Sequence, residues 1–103
     1  MDENRLIDYL EELAESLGIE IRYEAIHQDE DWIYVAGGLC LFRGQYLLIM
    51  NTKASSKERI KTLATAIKHF DIDQMYIRPV LRELLDRIPK QKPLGNDKDR
   101  RSR

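Results

Sequence analysis

The chain has 103 residues, enough for one domain built on one core. Hydrophobic residues make up 43% and charged residues 34%, the balance of a globular protein with a heavily charged surface. No apolar run approaches the roughly 18 residues of a membrane span, and the acidic opening MDENRLIDYL is unlike the basic start of a secretory signal. Cys40 is the single cysteine and only two histidines accompany it, which argues against a disulfide scaffold and a Cys/His zinc finger. A cytoplasmic protein without a cofactor is the expectation.

The net charge of −1 hides an asymmetry. Residues 1–31 carry eleven acids and two bases, a net charge of −9. Residues 32–88 carry nine bases and five acids, and residues 89–103 carry six bases and two acids, so each stretch is +4. An acidic front and a basic back attract each other within one fold or between two copies. Such exposed pairs orient more than they stabilise, at about 0–1 kcal/mol each.

Leu6, Ile7, Leu10, Leu13, Ala14 and Leu17 recur at helical spacing, which predicts a helix over residues 3–17. Asp2 suits its N-cap, and Gly18 stops it by permitting a left-handed conformation. From Ile19 the period becomes two: Ile19, Ile21, Tyr23 and Ala25 alternate with charged residues, as in a half-buried strand. His27 to Asp31 reads as a polar loop and Trp32 to Val35 as a second strand, broken by Gly37-Gly38 in a bulge or tight bend. Leu39–Phe42, Arg43-Gly44-Gln45 and Tyr46–Met50 read as a hairpin. Its runs are apolar on both faces, so a central pair is expected, covered on both sides or by a partner.

Ser55-Ser56-Lys57-Glu58 has capping-box spacing ahead of a second helix, whose buried stripe is Ile60, Leu63, Ala64, Ile67 and Phe70. Met75-Tyr76-Ile77 reads as a short extended piece. Pro79 opens a third helix with Val80, Leu81, Leu84, Leu85 and Ile88 on its apolar side. The resulting fold class is α+β: an antiparallel sheet of three or four strands, an N-terminal helix and two C-terminal helices. Residues 1–88 form the expected domain. Residues 89–103 read as a basic, disordered tail that is dispensable for folding, since Leu94 is its only large apolar residue.

Residues 37–70, GGLCLFRGQYLLIMNTKASSKERIKTLATAIKHF, resemble the central block of the ImmA/IrrE family of zincin-like metallopeptidases. The resemblance implies a hairpin, an Asn ending its second strand, a Ser-rich cap and then a metal-binding helix. In that family the helix carries Thr-Leu-Ala and then His-Glu-x-x-His. Here Thr62-Leu63-Ala64 match the lead, but Thr65-Ala66-Ile67-Lys68-His69 follow, so only His69 falls on a motif position. Thr65 replaces the first metal ligand and Ala66 the general base.

A zinc hydrolase needs three protein ligands and a base beside the bound water. At 100° per residue, Thr62, Thr65, Ala66 and His69 share the side away from Ile60, Leu63 and Ile67. Three of these four are small and hold no metal. The face reads as solvated, or as a small-residue surface that lets another helix pack close. His69 is thus the one metal-ligand candidate, and no catalytic set is complete.

The remaining signals are bland. Cys40 lies in an apolar strand, where a cysteine is expected to be an inert core residue. His27 beside Asp29, Glu30 and Asp31 reads as a surface turn. Gly37-Gly38 precedes a strand, not a helix N-terminus, and so is no phosphate cradle. Lys57, Lys61 and Lys68 share one helix side, and Lys90, Lys92, Lys98, Arg100, Arg101 and Arg103 lie in the tail, a candidate basic patch for nucleic acid. The acidic first third and the lack of aromatics among the tail charges count against that use. The leading expectation is a non-catalytic module that binds another protein, including a second copy as a homodimer. A degenerate metal-dependent hydrolase and a nucleic-acid-binding accessory protein are the alternatives.

Overall fold

The computed structural model describes residues 1–26 and 36–92. Six elements follow in order: α1 (Glu3–Ser16), β1 (Ile19–Glu24), β2 (Gly37–Phe42), β3 (Gln45–Asn51), α2 (Ser56–Ile67) and α3 (Pro79–Asp86). The expected loop at His27–Asp31 and strand at Trp32–Val35 lie outside the described residues.

The helix boundaries follow local chemistry. Asp2 caps α1 by accepting from the Arg5 amide at 2.8 Å, and Gly18 sits at φ 89° just past the helix end. Ser55 and Glu58 form the full capping box at α2: the Glu58 amide donates to Ser55 Oγ at 3.2 Å and the Ser55 amide to Glu58 Oε1 at 2.9 Å. Pro79 begins α3. Between α2 and α3 the Arg82 guanidinium donates to the carbonyls of Met75 at 2.7 Å and Ile72 at 3.2 Å, fixing an irregular connection. Met75-Tyr76-Ile77 belongs to that connection and to no strand.

The sheet corrects the antiparallel expectation. Its order is β1-β3-β2; β1 runs parallel to β3, and β2 runs antiparallel to it. The sheet is therefore mixed. Period-two alternation is the same for both senses of pairing, so β1 carried no mark of its direction. The hairpin was also misplaced as a central pair: β3 is central, whereas β2 is an edge among the described residues. Its turn is tighter than read, with Arg43 at φ 53° and Gly44 at φ 79° forming a two-residue connection.

One face of the sheet carries the core. Ile19, Leu48 and Met50 point to the side covered by α1 and α2, and α3 packs on those two helices. Leu10, Leu63, Ile67 and Leu85 meet there, each fully buried. Full burial of one such side chain contributes about 1.5–3 kcal/mol. The opposite face bears Glu20, Arg22 and Glu24 on β1, Leu47 and Ile49 on β3, and Gly38, Cys40 and Phe42 on β2. Cys40 is exposed there, which corrects its reading as a core residue.

Gly37-Gly38 is regular strand, opposite Met50 and Ile49, and not a bulge or bend. A Cβ on Gly37 would stand 2.6 Å from the Ile49 carbonyl oxygen and 3.2 Å from Thr62 Cγ2, whereas a Cβ on Gly38 meets nothing within 4 Å. The small-residue face of α2 thus packs close to a strand, not to another helix. Ala66, expected on the open side, is 2% exposed.

Tyr23 ties β1 to α1 through a hydrogen bond from its hydroxyl to Glu11, and the Arg59 guanidinium lies 5.3 Å from its ring centroid. Partial burial, then the bond to Glu11 and its charge, push the phenol up to about 12. The fold favours the neutral phenol. Its contribution is complete below the unfolded value of about 10 and is lost as pH rises through about 12. Urea midpoints measured at rising alkaline pH are expected to fall less steeply for Tyr23→Phe than for the parent chain. The same assay separates the glycines. Gly37→Ala is expected to lose about 1–3 kcal/mol by overpacking. Gly38→Ala is expected to lose nothing and to gain up to about 1 kcal/mol from reduced chain entropy.

Candidate functional site

The side of α2 that faces β2 borders an open cleft of about 330 Å³. Ala36, Gly37, Gly38 and Leu39 form one wall along β2, with Leu48 behind them. Lys61, Thr62, Thr65, Ala66 and His69 form the other. The cleft exists because β2 presents glycines where α2 approaches, so the two elements meet at Gly37 and leave space beyond it. Among the described residues no acidic side chain lines it.

His69 lies just beyond α2, which ends at Ile67 with Lys68 as its C-cap. The expectation that a continuous helix carries Thr65 and His69 one turn apart is therefore corrected by two residues. The His69 amide reaches the Ala66 carbonyl at 3.1 Å in a tightened last turn. Its Nδ1 lies 2.5 Å from the Lys92 carbonyl oxygen, which only accepts, so the Nδ1 proton is fixed there. Gln91 adds a 3.1 Å bond from its amide to the Lys68 carbonyl. The chain after α3 thus returns to the end of α2, and the residues just past Ile88 hold the cleft's histidine in place.

Two of the basic residues expected as one patch, Lys57 and Lys68, have separate partners. Lys57 lies 3.6 Å from Glu3 across the α1–α2 contact. Lys68 turns to the Leu85 carbonyl at 2.9 Å. Lys61 alone of the three opens onto the cleft, and it is in no ion pair among the described residues. Arg100, Arg101 and Arg103 lie outside the described residues. No group of three His, Cys, Asp or Glu side chains stands close enough to hold a metal ion among the described residues. Thr65 and Ala66 offer neither a strong metal ligand nor a base at the positions the metallopeptidase resemblance implied.

A second cleft, about 370 Å³, lies between α1 and the segment leading into α3. Tyr9 and Glu12 face Arg78 across it, with the Arg78 guanidinium 3.9 Å above the Tyr9 ring centroid. Tyr76 stands at its rim, 84% exposed. Arg78 and Tyr9 already satisfy each other, so this cleft has less unused polar capacity than the first.

Sequence reasoning missed Gly37 as a site-forming residue. The signal was present: Gly37 lies two residues from Leu39 in the period-two pattern, an inward position without a side chain. Among the described residues no helix is long and apolar enough to cross a membrane. Compared with protein-family models, curated proteins and solved structures, the chain matches none. The absence of a match neither supports nor contradicts a relation to the ImmA/IrrE metallopeptidases.

Proposed function

We propose that the chain is a non-catalytic protein-interaction module whose partner is a second copy of itself, docked through edge strand β2. The observation that carries this reading is the edge position of β2 among the described residues. β2, GGLCLF, holds no charge and no proline, and its Leu41 and Phe42 are 40% and 57% exposed. Edge strands are ordinarily guarded by charges, prolines or bulges that prevent pairing. β1, at the other edge, carries Glu20, Arg22 and Glu24.

A second copy suits β2 for a reason of symmetry. A two-fold axis at an antiparallel edge brings identical strands together, and a strand without charges meets no like charge there. The joined sheet would have six strands, with main-chain hydrogen bonds supplying affinity as in other strand additions. A degenerate position within the ImmA/IrrE family accords with this role, since Thr65 and Ala66 leave the site without hydrolytic machinery.

Sedimentation velocity in reducing buffer is expected to show the weight-average mass rising toward two chains with concentration. Cys40→Lys places a charge on the exposed edge and is expected to keep the chain monomeric with its circular dichroism unchanged. A parent chain that stays monomeric at every concentration removes the proposal. Binding to duplex DNA or RNA that weakens steeply with salt would instead favour the nucleic-acid reading.

A further inference from the structure

The cleft between α2 and β2 has walls and polar groups that the docking role does not use. Leu39, Leu48 and Ala36 make it apolar on one side. On the other, Lys61 and Thr65 stand one helical turn apart, about 5–6 Å between Cβ atoms, with Thr62 beside them. Among the described residues Lys61 has no ion-pair partner, and the hydroxyls of Thr62 and Thr65 have no hydrogen-bond partner. His69 closes the end of the cleft, positioned by the Lys92 carbonyl. Among the described residues no acid lines the cleft, and the unmatched charge they bring to it is positive.

We infer that this cleft is a binding site for a small organic carboxylate with a short apolar body. The Lys61 ammonium and Thr65 hydroxyl donate to the carboxylate, and Ala36 and Leu39 take the hydrocarbon. A volume of about 330 Å³ lies at the small end of ligand pockets, which suits a chain of a few carbons and not a nucleotide. A charge-assisted bond is about twice as strong as a neutral one, so the ligand's charge is the main discriminator. A divalent cation is disfavoured by the same side chains.

The test is a titration of the isotope-labelled full chain with hexanoate, hexanamide and hexylammonium, followed by amide chemical shifts. Hexanoate is expected to shift the amides of Gly37 to Leu39 and Thr62 to His69 saturably. Hexanamide is expected to bind about tenfold more weakly, the factor that one charge-assisted bond supplies. Lys61→Met, which keeps the apolar stem, is expected to cause a similar loss, and Lys61→Arg to restore most of the affinity. Equal binding of hexanamide, preferred binding of hexylammonium, shifts confined to other surfaces, or no saturable shift would each overturn the inference. So would Lys61→Met that binds hexanoate as the parent does. The amides of Thr62 to His69 lie outside the docking strand β2, so this inference and the docking role fail separately.

Discussion

Leu48 and Met50, both fully buried on the inner face of β3, hold the two layers of the molecule together. Among the described residues, β3 is the strand with a neighbour on each side. β1 lies beside it in parallel and β2 in antiparallel, and α1 and α2 pack over its inner side chains. Among the described residues, β1 and β2 are the edges of the sheet. Their chemistry then decides how the protein meets others.

The edges have been treated differently. β1 carries charges on its outward face, and its inward Tyr23 is tied to Glu11 of α1. β2 has glycines at its start and large apolar side chains at its end. Gly37 lets α2 come close beside a cleft, and the strand it opens carries no charge or proline. Both surfaces on which function is proposed thus share β2. Gly37 also explains the face of α2: Ala66 is buried by the close approach, while Lys61, Thr65 and His69 open onto the space that remains.

Much of the local structure was legible because short-range physics wrote it. Asp2, Gly18, the Ser55–Glu58 box and Pro79 each marked a helix end at its place, and the hairpin followed from Arg43-Gly44. The parallel pairing of β1 was not legible, since it depends on contacts between residues far apart in sequence. Cys40 was misplaced for a related reason. An apolar run does not say which face is covered, and only the hairpin register puts Cys40 beside Leu47 on the outer side. A hairpin, a buried Asn51 and a capped helix follow one another along the chain, with His69 beyond the helix end.

The account makes β2 the surface through which two copies meet. Hydrogen exchange measured amide by amide, at low and at high protein concentration, tests that claim most directly. Alternate β2 amides point away from β3 and lack a partner strand among the described residues. The account predicts that these amides become slower to exchange as concentration rises, while those bonded to β3 change little. Exchange at the outward amides that does not vary with concentration would contradict it.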